Sequence, residues 1–177
     1  MWSTDELTGL GKMVMNFSAL DASVDRLLAG FIAESSVAEI IVAGQFVSWK
    51  CEKLEAIARE CLDDSEDRTA LLDWIKASQR LNERRNDMIH SWFVEADTVG
   101  SLTRMKASTR GGKWRGESEP IQLEQIHELV TLLEQGIQAA HGVAQALKET
   151  GRWHGELLVL KSSTSTTSSA ALRLGQQ

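Results

Sequence analysis

Proline occurs once in the chain, at Pro120. Proline removes a backbone donor and breaks helix interiors. Upstream of Pro120 nothing of that kind interrupts a helix, and the turn chemistry of a β-sandwich is missing. Apolar residues recur at the three- and four-residue steps of an amphipathic helix over four long stretches. The first opens on a capping box, Ser3 with Glu6. It carries Leu7, Leu10, Val14, Phe17, Val24, Leu28 and Phe31, with Met13, Leu20 and Leu27 widening the face and Asp21 interrupting it. A second capping box, Ser36 with Glu39, opens a helix striped by Ile40, Val47, Cys51, Leu54, Ala58 and Cys61. The acidic run Asp63, Asp64, Glu66 and Asp67 starts the third helix, where carboxylates suit the positive end of the dipole. Its stripe is Leu71, Trp74, Ser78, Leu81, Arg85, Met88 and Trp92, with Arg85 a charge where an apolar residue is called for. The fourth carries Leu123, Ile126, Val130, Leu133, Ile137, Ala140, Ala144 and Leu147 and stops at Gly151.

Between about 93 and 120 the period shortens and glycines punctuate it, which predicts a small β-hairpin. The serine- and threonine-rich run at 162–169 has too little apolar surface to fold. The expected architecture is all-α: an antiparallel bundle of four long helices over 1–155, with the hairpin inserted before the last helix. A disordered Ser/Thr-rich tail over 156–177 follows. The 177 residues suit one domain of the usual roughly 100–200 residues, and 42% hydrophobic content is enough for a core. A formal charge of −6 argues against a protein coated in basic charge, although not against a local basic patch. Cys51 and Cys61, ten residues apart on one predicted helix, would lie about 15 Å apart, too far for a disulfide. Two reduced, buried thiols and a cytoplasmic location are expected. No apolar run approaches the ~18 residues of a membrane span, and the first residues lack the basic region of a signal peptide.

The segment with chemical content is Leu81-Asn-Glu-Arg-Arg-Asn-Asp-Met-Ile-His-Ser-Trp-Phe93. Arg85, Asn86 and His90 form R-N-x-x-x-H near a helix end. Asn86 and His90, four apart, share a face. Arg85 lies about 140° from His90 around the helix, close enough for a long side chain to converge on a common ligand. A guanidinium holds phosphate bidentately, an imidazole moves protons near neutral pH, and an asparagine amide can bond either group. This pattern resembles the Rx4-6H motif of the HEPN superfamily, whose members are small helical bundles. The resemblance implies metal-independent endoribonuclease chemistry with no cofactor, in toxin–antitoxin or defence settings. It also implies a homodimer in which the motif helices of two chains face one composite site. Carried over by position, the catalytic residues are Arg85, Asn86 and His90. Arg84 also matches, as R-x5-H. In the implied reaction the RNA 2′-OH attacks its neighbouring phosphorus, His90 moves the proton, Arg85 stabilises the developing charge, and a 2′,3′-cyclic phosphate results. Some members have lost catalysis, so a scaffold that binds RNA, a nucleotide, an antitoxin or another protein is the alternative.

From Asp97 to Glu117 no acid intervenes, while Arg104, Lys106, Arg110, Lys113 and Arg115 are basic and Trp114 stands among them. With Arg84, these are the candidate RNA-binding residues, a basic surface for a phosphate backbone with an aromatic for stacking. The competing explanation is a solvated edge hairpin. A rival enzyme pattern pairs Glu124-x-x-His127 with Asp87-x-x-His90, the ligand spacing of di-iron or di-manganese bundles, with Asp21, Glu52 and Glu55 as further carboxylates. His127 reads more simply as a core-edge residue, and Trp49, Trp74, Trp92 and Trp153 as packing anchors.

Overall fold

The computed structural model describes residues 3–32, 35–95, 102–108 and 115–154, and these are predominantly helical. The order is α1 (Thr4–Ala29), α2 (Ser35–Val42), α3 (Val47–Cys61), α4 (Glu66–Ile89), β1 (Trp92–Glu95), β2 (Leu102–Ser108), β3 (Arg115–Ile121) and α5 (Leu123–Glu149). Among the described residues no helix is long and apolar enough to cross a membrane. The expected Ser/Thr-rich tail, 156–177, lies outside the described residues.

Among the described residues five helices stand where four were expected, because the second stretch breaks at Gly44. There φ is +71°, a left-handed conformation that glycine adopts without a Cβ penalty. Gln45 N–H closes the turn on the Val42 carbonyl at 3.2 Å, and extended Phe46 (φ −72°, ψ 147°) leads into α3. At 93–120, three antiparallel strands in the order β1-β2-β3 stand in place of one hairpin. The Ser3–Glu6 box forms as read: the Ser3 Oγ accepts the Glu6 N–H at 3.2 Å, and Glu6 Oε2 accepts the Ser3 N–H at 2.6 Å.

The buried faces of α4 and α5 follow the sequence stripes closely, with Leu71, Trp74, Ser78, Leu81 and Met88 buried on one and Ile126, Val130, Leu133, Ala140, Ala144 and Leu147 on the other. α1 differs. Its core side chains are Met13, Phe17, Leu20, Val24, Leu27 and Leu28, while Leu7 and Val14 are exposed. The 13-17-20-24-27 steps hold one face, and positions 7 and 14 fall off it. Cys51 is buried but Cys61 is exposed, as the last residue of α3.

The chain divides into two compact units: residues 1–21 with 78–137, and 22–77 with 138–177. In the first, α1 and α5 run parallel. Gly9 lies against Ile126, Asn16 donates to Glu134 at 3.1 Å, and a Cβ on Gly136 would sit 3.3 Å from Leu20. α4 runs opposite to both, since Leu81 adjoins Gly136 while Arg84 pairs with Glu128. The sequence expectation of antiparallel neighbours therefore holds for α4 and fails for the α1–α5 pair in this unit.

In the second unit α5 ends in a Schellman motif. Gly151 is at φ +69°, Arg152 N–H reaches the Leu147 carbonyl and Gly151 N–H the Lys148 carbonyl, each at 3.0 Å. That turn directs Trp153 inward, fully buried, where its Nε1 donates to the Leu27 carbonyl at 3.1 Å. The acceptor belongs to the last turn of α1, whose carbonyls have no intrahelical donor. Lys50, buried on α3, pairs with Asp25 of α1 at 2.7 Å. The acidic run before α4 is used twice, Asp63 pairing with Arg152 at 2.8 Å and Asp64 with Arg68 at 2.6 Å.

Candidate functional site

The R-N-x-x-x-H segment occupies the last turns of α4, in the first unit. The helix stops at Ile89 without glycine or proline. His90 N–H still bonds the Asn86 carbonyl at 2.9 Å, and the buried Ser91 hydroxyl donates to the Asp87 carbonyl. Ser91 thus satisfies a terminal carbonyl as the chain passes into β1.

Arg85 keeps its place in an apolar stripe by two contacts. Its guanidinium lies over the Phe17 ring of α1 at 4.5 Å, a cation–π arrangement. Its Nη1 donates to Asn86 Oδ1 at 2.9 Å. Its Nε is inaccessible and has no hydrogen-bond partner among the described residues. The Arg85 bond fixes the orientation of the Asn86 amide, whose nitrogen faces Asn82 Oδ1 at 3.4 Å. The structure therefore brings Arg85 and Asn86 together. The His90 side chain is exposed beyond the helix end. It is linked to Asn86 through the backbone bond, and no side-chain hydrogen bond joins it to Arg85 or Asn86.

Arg84 points elsewhere. It pairs with Glu128 of α5 at 3.3 Å and lines a shallow cavity of about 220 Å³ together with Asp87, Met88, Gln125 and Leu129. The two motif arginines are thus separated by their neighbours, Arg85 turned to α1 and Arg84 to α5. Phe17 is the neighbour of Arg85 that the sequence conceals. As one more apolar residue of α1 it carries no mark of its role, and the only signal is that a charge on a buried stripe calls for an aromatic face.

The strand register pairs two of the expected basic positions with acidic ones along the backbone. On β2, Arg104 stands opposite Glu119 and Lys106 opposite Glu117 of β3, while Arg115 of β3 stands opposite Ser108. The acids at 117 and 119, which end the basic run in sequence, return alongside it in space. Arg110, Lys113 and Trp114 lie outside the described residues. For the rival metal reading, no three His, Cys, Asp or Glu side chains among the described residues come together as metal ligands. Glu55 is instead taken by Arg59 at 2.7 Å.

No protein-family model, curated protein or solved structure matches the chain.

Proposed function

We propose that the chain is a HEPN-like helical domain that cleaves RNA without a metal, with Arg85, Asn86 and His90 as its catalytic residues. The observation that carries this is the end of α4, where an exposed imidazole stands one turn beyond an asparagine whose amide is oriented by a guanidinium. In the reaction, neutral His90 takes the proton of the ribose 2′-OH as its oxygen bonds to phosphorus. Arg85 stabilises the charge on the non-bridging oxygens, and the bond to the 5′-oxygen breaks. That oxygen takes a proton from water, to which His90 returns its own, and the upstream fragment keeps a 2′,3′-cyclic phosphate. Arg85 must swing one face of its guanidinium away from Asn86 to meet the phosphate, or use its remaining Nη2.

The test is single-stranded RNA incubated with the purified chain in excess EDTA. Cleavage with cyclic phosphate ends is expected, and His90→Ala should reduce it by about 10²–10⁴-fold, the usual range for a general acid or base. Because His90 is exposed, its circular dichroism and unfolding midpoint should not change. Full activity in His90→Ala would sink the proposal. One observation favours the alternative of a non-catalytic scaffold: Arg85 is already engaged by Phe17 and Asn86. That reading predicts RNA binding without cleavage at any pH.

A further inference from the structure

A guanidinium on an apolar stripe gives up part of its water, and its surroundings must supply what the water did. For half-buried Arg85 part of that supply is the face of Phe17, whose centre lies 4.5 Å from the guanidinium carbon. The ring belongs to α1 and the motif to α4, both within the first unit. Phe17 is 7% exposed, and its neighbours one turn to either side, Met13 and Leu20, are fully buried. The ring is thus seated in close-packed core, which leaves it little freedom to shift. The reach of Arg85 is set from another helix as well as from its own.

The chemistry of that support matters. A carboxylate at position 17 would neutralise the guanidinium and fill its fork with two acceptor oxygens, the same geometry that a phosphate uses. An aromatic face attracts the charge through its quadrupole and has no lone pair to offer. It therefore holds the cation without standing in for the phosphate oxygens. The N–H groups stay available to other acceptors. Arg85 Nη1 gives one to Asn86 Oδ1 at 2.9 Å, and the Asn86 nitrogen faces Asn82 Oδ1 at 3.4 Å. Arg85 Nε is inaccessible, so a phosphate can meet this guanidinium only through its two Nη nitrogens. A cation that keeps its charge on a fixed support is preorganised for charge that develops in a transition state.

We propose that Phe17 is a positioning residue for Arg85, holding its guanidinium charged and in place for an RNA phosphate at the end of α4. The proposal rests on the RNA reading above and deepens it. Phe17 touches no substrate and acts through Arg85 alone. Because small misplacements of a reacting group are costly, the ring contributes to rate as well as to packing.

The test compares the full chain with Phe17→Leu and with the chain carrying pentafluorophenylalanine at position 17. The fluorinated ring keeps the shape of phenylalanine but reverses the charge of its face, so it separates electrostatics from packing. Two readouts are taken: cleavage kinetics in EDTA, and affinity for a 2′-O-methyl RNA, which lacks the attacking hydroxyl and is not cut. Each change should lower kcat about 10-fold and the affinity about 3-fold, kcat more because charge on the phosphate grows in the transition state. In an Arg85→Ala background the same changes should leave the affinity as it is, whereas a packing defect acts with or without the arginine. Unaltered kcat and affinity in the fluorinated chain would overturn the proposal, and so would equal losses of affinity in both backgrounds. In either case a wild type that cleaves leaves the RNA reading standing. If the wild type does not cleave, but the fluorinated ring weakens binding only when Arg85 is present, the cleavage reading falls and the placement of Arg85 by Phe17 holds. A wild type that neither cuts nor binds RNA sinks both.

Discussion

At Gly30 a Cβ would fall inside the indole of Trp153, whose Nε1 is bonded to Leu27 and whose neighbour His154 donates its N–H to the Gly30 carbonyl at 2.9 Å. Neither backbone nor ring has room to yield without undoing those bonds. Gly30→Ala should therefore cost about 3 kcal/mol, comparable with removing the buried tryptophan itself, as read from urea unfolding. Trp153→Ala should cost a similar amount, and the double variant little more than either, because both changes abolish one contact. Arg85 shows the converse case at the same scale. Its place on the α4 stripe was legible from spacing alone, and so was its adjacency to Asn86. That the ring beneath it is Phe17 was not, because pairing α1 with α4 is a matter of tertiary packing. His90 was legible as a helix-end residue, but the separation of Arg84 from Arg85 depends on where α5 runs.

Among the elements, the break between α2 and α3 rests on one backbone torsion. A Cβ at Gly44 would meet nothing within 4 Å, so Gly44→Ala tests the left-handed conformation without a clash. It should lower stability by about 1 kcal/mol in chemical denaturation, the usual cost of forcing a Cβ into positive φ. Long helices were readable wherever the apolar period persisted: α4 and α5 keep one phase for several turns, and their buried faces are the predicted ones. Ala43-Gly44-Gln45 was not readable as a break, because isolated glycines occur inside helices too. Exposed Ile40 was taken for core because period reports that a face is apolar, not what covers it. The third strand-like segment, read at Lys113–Glu117, runs instead over Arg115–Ile121. Its sequence, Arg-Gly-Glu-Ser-Glu-Pro-Ile, carries little β propensity, and pairing with β2 defines it.

For the molecule as a whole, acid should weaken the fold partly through His141. Its pKa lies below the ordinary 6.5, first because burial disfavours the imidazolium and second because the Arg26 guanidinium repels it. The unfolded chain thus binds the proton more readily than the folded one. The contribution is fully present above about pH 6.5 and is lost as pH falls through that value toward the lowered folded pKa. Unfolding midpoints measured from pH 7.5 down to 5 should fall, and His141→Gln should flatten part of that slope. An unaltered slope would assign the acid sensitivity to other groups.

Each unit is assembled from stretches far apart in the chain, residues 1–21 with 78–137 and 22–77 with 138–177. Ribosomes add about 5–20 residues per second. Thus α1 emerges before α5, and it waits until nearly the last described residues are made before Trp153 can reach Leu27. Until α5 is made, the flank of α1 that it covers stays bare to water, an interval in which a growing chain is open to clumping.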